Sequence, residues 1–392
     1  MVWESMELSS RERVEMAFNF EEPDRVPIFE QGIAPNVASE ILDRYAYTGC
    51  GGMGAKDTFE LLIQGKRDYL VEHMCRDLVE LHVKLDLDIV RPPLAPRSDA
   101  KGPNKVLEKH VYYFEDEESG MWYVYKYSPK SKMMTLVDSS IKREGLRGIK
   151  RLVEHLEESE VEYDESVFEV MDYVIDELGD QKFIAGHGGI GVPMDTPWIV
   201  ALIKRPDLVE RYLDQQLRRT MELIKLEKNR GVDFILGGGD LATTKGPMYS
   251  PRLFRRLLLP RLKKLVNFCH ELGLPYIFRT DGNVWPIAKE LFIESGVDGY
   301  GEIDAQAGMD LGELKKEFPN LILWGNVDCA YTLVFGPEEK VVRETIDCIR
   351  KAARGGGYIL GSSNTIHPNV KTRYFLLMLQ IAKEYGKYPM KI

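Results

Sequence analysis

The stretch Asp233-Phe-Ile-Leu-Gly-Gly-Gly-Asp240 sets a short apolar run directly against three glycines and a carboxylate. Phe234, Ile235 and Leu236 suit a buried strand. The glycines after them suit either a tight turn or backbone that must approach a ligand closely. The same pattern recurs on both sides. Apolar runs at 182–186, 275–278, 299–301, 321–324 and 358–360 alternate with long amphipathic segments to the end of the chain. Upstream, Tyr69, Leu70, Met74, Leu78, Leu81 and Val83 recur at helical spacing and feed the run Leu85-Asp-Leu-Asp-Ile-Val90, which Arg91-Pro-Pro closes. Earlier still, Ser9 and Ser10 cap a short helix, and Pro23-Asp-Arg-Val-Pro-Ile-Phe-Glu30 reads as a turn into a strand ending near Glu30. That makes eight strands. Strands separated by helices pair in parallel through right-handed crossovers, and eight such units close, so the expected fold is an α/β (β/α)8 TIM barrel. An open dinucleotide-binding sheet is disfavoured, because no Gly-x-Gly-x-x-Gly opens a helix after a strand.

Residues 94–142 interrupt the alternation with Val111-Tyr-Tyr-Phe, Met121-Trp-Tyr-Val-Tyr and Met133-Met-Thr-Leu-Val, separated by polar turns. They predict a small antiparallel β insertion whose acidic turn at 115–120 is a solvated hairpin tip rather than a docking patch. The whole of 1–392 is therefore expected to be one barrel domain with a β-rich insertion at about 94–142. A hydrophobic content of 44% supplies a sizeable core, and a net charge of −10 argues against nucleic acid or an anionic membrane as partner. The five cysteines are scattered without CxxC spacing, which disfavours a disulfide framework or a zinc ribbon. The N-terminal segment has no apolar signal core and no run reaches membrane-spanning length, so the chain reads as cytoplasmic.

Polar residues crowd just after the strands, where a barrel assembles its site from several loops. Asp240, Asp281 and Glu302 leave three different strand ends, and as a group they suit acid, base or metal-ligand roles; singly, each also reads as a helix cap or loop ion pair. His187 and His367 are the histidines nearest strand ends. Either suits a base or a ligand, or merely a loop hydrogen bond. With Asp240 these residues form the candidate catalytic set Asp281, Glu302, His187 and Asp240. Substrate contacts are expected from Glu30, the strand-end cations Arg91, Lys245 and Arg279, the amides Asn283 and Asn326, and His367. Tyr249, Trp285 and Tyr300 supply an aromatic wall. In Asp281-Gly-Asn-Val-Trp-Pro286 an acid, a glycine and an amide precede a Pro-started helix, whose N-terminus would favour an anion unless Asp281 or Asn283 simply caps it.

At these residues the sequence resembles the uroporphyrinogen decarboxylase superfamily. The likeness is carried by Arg11-Glu-Arg-Val14, Glu22-Pro-Asp-Arg-Val-Pro27, Asp240 with Lys245-Gly-Pro-Met-Tyr-Ser-Pro251, Asp281-Gly-Asn283 and Gly325-Asn-Val-Asp328. The resemblance implies one barrel and either porphyrinogen decarboxylation or corrinoid-dependent methyl transfer. The arginine-rich run that grips substrate carboxylates in the decarboxylases is replaced here by Phe29-Glu-Gln-Gly-Ile33, and Glu30 is expected to repel a polyanion. Asp86 or Asp88 lies near the position of the decarboxylases' pyrrole-binding aspartate, but Arg91-Pro-Pro replaces the surrounding pattern. The methyltransferase branch resembles this chain better. Where its thiol-methylating members hold zinc, this chain reads Arg279, Asp281 and Ser362, which leaves Asp281, Glu302, His187 and His367 as candidate zinc ligands. The implied function is transfer of a methyl group from a small methylated substrate, a methoxylated aromatic among the options, to a corrinoid (cobalamin) carried by a separate protein. A homodimer is an assembly the resemblance admits. A decarboxylase of a porphyrinogen or other carboxylated molecule, and a noncatalytic barrel, are the alternatives.

Overall fold

The computed structural model describes residues 8–390. The first seven residues, part of the N-terminal segment read above as lacking a signal core, lie outside them. Helix Ser10–Phe18 opens with a capping box, Ser9 accepting from the Glu12 amide while Glu12 accepts from that of Ser9. After helix Arg67–Leu85 comes strand β1 (Ile89–Val90), and after β1 an antiparallel sheet of β2 (Lys105–Glu108), β3 (Val111–Glu115), β4 (Trp122–Ser128) and β5 (Met133–Ser139). The remaining strands are β6 (Phe183–Gly188), β7 (Phe234–Gly238), a small hairpin of β8 (Ala242–Thr243) and β9 (Gly246–Pro247), then β10 (Tyr276–Arg279), β11 (Gly299–Gly301), β12 (Ile322–Trp324) and β13 (Tyr358–Ile359). Seven of these form one parallel sheet in the order β1-β6-β7-β10-β11-β12-β13, a TIM-like barrel wall.

The strand expected to end near Glu30 is not regular. Its segment nevertheless lies between the two edges of the sheet. Ile28 bridges Leu360 in parallel, Phe29 N donates to Leu360 O at 2.9 Å, and Asp88 N donates to Ile28 O at 3.0 Å. The prolines at 23 and 27 remove amide donors from the segment, which leaves bridges in place of a ladder. The 85–90 run is also shorter than expected. Leu85 closes the helix, and Asp86 takes a left-handed backbone (φ 53°) that turns the chain before β1.

Alternate residues of the wall point inward and meet. Phe29, Ile89, Phe183, Ala185, Phe234, Leu236, Ile277, Ile322, Trp324 and Ile359 form one buried cluster with Val14 of the first helix. Phe18 plugs the bottom of this barrel interior, its ring edge-on to Phe183 at 5.3 Å and to Phe234 at 5.4 Å. A larger cluster lies between the strands and the surrounding helices. The antiparallel sheet rests on helix Gly51–Ile63, where Phe59 packs against Tyr112, Phe114 and Tyr125. It has one strand more than the sequence pattern indicates, since β2 is exposed along its length and lacks an apolar face to announce it. The acidic turn between β3 and β4 is exposed and closed by Asp116 accepting from Ser119. Among the described residues no helix is long and apolar enough to cross a membrane.

Candidate active site

A cavity of about 440 Å³ lies at the C-terminal ends of the strands. The parallel register brings the C-terminal ends of β1, β6, β7, β10 and β11 and the residues just beyond them together, so Arg91, His187, Asp240, Arg279, Asp281 and Glu302 all line it, with Glu30 and Gln31 from the closing segment and Asn364 beyond β13. The cavity reaches the surface beside Asp240 and Gly51, both exposed.

Burial sets the protonation of its carboxyls. Asp281 is pushed up to about 7, first by desolvation and then by the neighbouring negative charge of Glu302; a hydrogen bond from Asn364 Nδ2 at 2.8 Å only partly opposes this. Glu302 is raised by burial too, against Arg279 Nη1 at 3.2 Å and a short hydrogen bond from the Gln31 amide. Glu302 also takes a positive φ of 60°, a backbone region costly for a residue with a Cβ, which the contacts of its carboxyl hold in place. Glu30 is fully buried and pushed up to about 8 despite accepting from Ser362 N at 2.8 Å and Ser362 Oγ at 2.6 Å. It therefore carries little charge at neutral pH, which corrects the expectation that Glu30 repels an anionic ligand.

The basic groups differ from one another. Arg279 is paired with Glu302, whereas Arg91 has no ion pair among the described residues, and the Nε of each is shielded from solvent without a hydrogen-bond partner. Burial, with Arg279 nearby, pulls Arg91 down to about 10. Burial and the charge of Arg91 likewise lower His187, whose Nδ1 lies 2.8 Å from Glu227 Oε1.

Other expected contacts fall elsewhere. Lys245 is exposed on the β8–β9 hairpin. Tyr300 is fully buried with its hydroxyl donating to Thr280 O, Trp285 stacks on Phe318 and donates to Gly308 O, and Tyr249 is buried outside the cavity, so none of the three forms an aromatic wall. The helix expected after Asp281 is present: it opens with a 3-10 turn, Trp285–Ile287, that carries Pro286, and continues into a π-helical turn, Glu290–Glu294, while Asn283 accepts from its first amide at 3.1 Å. Asn283 rather than Asp281 is therefore the capping residue, which leaves the Asp281 carboxyl to the cavity. Asn326 and His367 line a second cavity of about 600 Å³, with His367 Nε2 2.9 Å from Cys329 O. Asp281 and Asn364 border both cavities. Asp86 and Asp88 are far from any ligand role: Asp88 is enclosed by Arg13 Nη1 at 2.7 Å, Arg25 Nη1 at 2.6 Å and Ile28 N at 2.7 Å, while Asp86 pairs with Lys383 at 3.1 Å.

Among the described residues no group of three or more His, Cys, Asp or Glu side chains is arranged to hold a metal ion. The candidate zinc ligands do not gather because Glu302 is engaged by Arg279 and Gln31, His187 by Glu227, and His367 belongs to the other cavity. Ser362, where a zinc-binding cysteine was sought, instead holds Glu30.

The sequence reading passed over Glu227, Ser362 as a partner of Glu30, and Asn364 as a partner of Asp281. Glu227 left a signal. Leu213, Leu217, Thr220, Ile224 and Glu227 step along the buried face of helix Pro206–Arg230, and a carboxylate on such a stripe needs a partner.

Residues 159–385 match the model of the uroporphyrinogen decarboxylase (URO-D) family. The chain belongs to that family. A stretch of 116 residues is 27% identical to the uroporphyrinogen decarboxylase of Anaeromyxobacter sp. (strain Fw109-5), spanning 29% of this chain and only 31% of that relative. Among solved structures, a methyltransferase from Methanosarcina mazei superposes with a TM-score of 0.66 over 97% of this chain and 99% of its own, at 20% identity, a likeness of fold. A B12-independent methionine synthase from Shewanella sp. W3-18-1 covers 81% of this chain and 88% of its own at 11% identity, with a TM-score of 0.44.

Proposed function

We propose that this protein is a corrinoid-dependent methyltransferase that takes the methyl group from a small methylated molecule, a methoxylated aromatic being the leading class. The observation that carries the reading is the cavity at the strand ends, in which Asp281 keeps its proton up to about pH 7 beside Glu302. Cleaving a methyl ether leaves an alkoxide or phenoxide, and a carboxylic acid within reach of that oxygen makes it an acceptable leaving group. Asp281 donates the proton, Asn364 orients its carboxyl, and Arg279 opposes the rise that burial imposes on the neighbouring Glu302.

The methyl acceptor in this reading is a strongly nucleophilic reduced corrinoid on a separate protein. A protein-borne acceptor would be presented at the mouth beside Asp240 and Gly51. No step is routed through zinc, because the candidate ligands do not form a set.

A decarboxylase of a small carboxylated molecule is the second reading, favoured by the unpaired Arg91. Incubation with a cob(I)alamin carrier protein and a panel of methoxyarenes, methylamines and methylated thiols tests the proposal. Consumption of cob(I)alamin with stoichiometric release of demethylated product is the expected result. Release of carbon dioxide from carboxylated analogues without any methyl transfer would overturn it in favour of the second reading.

A further inference from the structure

His187 lies within β6 and Arg91 just after the neighbouring strand β1, and both line the cavity. Behind His187 lies Glu227, fully buried on helix Pro206–Arg230. One oxygen of Glu227 accepts from the backbone amide of His187 at 2.6 Å and the other faces Nδ1 at 2.8 Å. A carboxylate can only accept, so Nδ1 must carry the ring proton. The lone pair is then on Nε2, which has no partner among the described residues and belongs to a ring lining the cavity. Glycine at 186 keeps this arrangement open, since a Cβ there would come within 2.6 Å of Glu227 Oε2.

The neighbouring guanidinium has the complementary lack. Arg91 makes no ion pair among the described residues: Glu227 and Glu302 favour its charge without reaching it, and Arg279 opposes it. A ligand group that gives up a proton to Nε2 and leaves negative oxygen beside Arg91 would satisfy both residues at once. A carboxylate, already ionised, would satisfy Arg91 but face the Nε2 lone pair.

We infer that Glu227 is a positioning residue that locks His187 as a proton acceptor, and that His187 with Arg91 forms a subsite for a weakly acidic hydroxyl of the substrate. The proton moves from the hydroxyl oxygen to Nε2, giving an imidazolium that donates through Nδ1 to Glu227. The electron pair stays on the oxygen, which Arg91 holds. This subsite lies in the cavity proposed above as the substrate site and rests on that assignment, but its test reads ligand binding and the resting histidine, with no turnover required.

Two measurements decide it. Nitrogen NMR of histidine-labelled protein at neutral pH, with the His187 signal assigned through His187→Gln, is expected to find Nδ1 protonated and Nε2 bare. The opposite tautomer would overturn the inference even if methyl transfer is later observed. Titration with para-nitrophenol, whose ionised form absorbs in the visible, is expected to lower the apparent pKa of the bound phenol by about one unit or more. Para-nitroanisole and benzoate are expected to bind more weakly. Arg91→Met should abolish the pKa shift. Glu227→Gln should move the ring proton to Nε2, because the amide oxygen is needed at the His187 backbone amide and leaves the NH₂ facing Nδ1. If that variant does not fold, the resting tautomer of the unmodified protein and the Arg91→Met titration still decide. Para-nitrophenol bound without a lowered pKa, or benzoate bound more tightly, would refute the subsite whether or not the protein is a methyltransferase.

Discussion

Asp281 and Glu30 show how position alone changes a carboxyl. Both are desolvated and border the same cavity, but Asp281 has one amide partner, Asn364, whereas both oxygens of Glu30 are held by Ser362. If Asp281 protonates the leaving oxygen, kcat of methyl transfer should fall as pH rises through about 7, and Asp281→Asn should lose about 10²- to 10⁴-fold in kcat together with that limb of the profile. Glu30 bears on stability instead. Its folded pKa of about 8 lies above the ordinary 4.5, so the folded state binds more protons between those values and stability declines as pH rises across that window. The slope is at most about 1.4 kcal/mol per pH unit. Urea unfolding at a series of pH values should therefore show a flatter profile for Glu30→Gln. At this scale the sequence was partly legible. Asp240, Asp281, Glu302, His187, Arg91 and Arg279 do share one cavity, because each sits at a fixed distance from the end of a strand whose register was readable. Lys245 and the three aromatics do not, since hairpin direction and side-chain rotamer are set by tertiary packing that a strand pattern does not encode.

The strands themselves carried the clearest signal. Runs at 233–236 and 299–301 lie within a residue or two of β7 and β11, because an apolar segment buried on both faces has few other readings. The glycines that end β7 turn out to be demanded by contact rather than by a mobile mouth. A Cβ at Gly237 would lie 1.6 Å from Gly188 O and 2.0 Å from the Tyr276 hydroxyl, which itself donates to Gly188 O at 2.7 Å. Gly237→Ala should accordingly destabilise the protein by about 3 kcal/mol or more, read as a lowered midpoint in thermal or urea unfolding; an unchanged midpoint would mean that β6, β7 and β10 can separate at no cost. The element that escaped the sequence, β2, did so because all its side chains are exposed and its pairing with β3 is made by backbone.

For the molecule as a whole, the critical join is where the 26–30 segment lies between the sheet edges. Few backbone hydrogen bonds hold it, and Asp88 compensates by binding Arg13 of the first helix, Arg25 before the segment and Ile28 N within it. Asp88→Asn should leave two buried guanidinium groups undercompensated and cost about 3–5 kcal/mol, measurable by urea unfolding. No pattern in the sequence predicts this, because Arg13, Arg25 and Asp88 meet only once the sheet has curled. Above that join, Asp281 and its partner Asn364 border both chambers over the strands, of about 440 and 600 Å³. One carboxyl is thus shared wall for two rooms, and a substitution at this pair alters the lining of both at once.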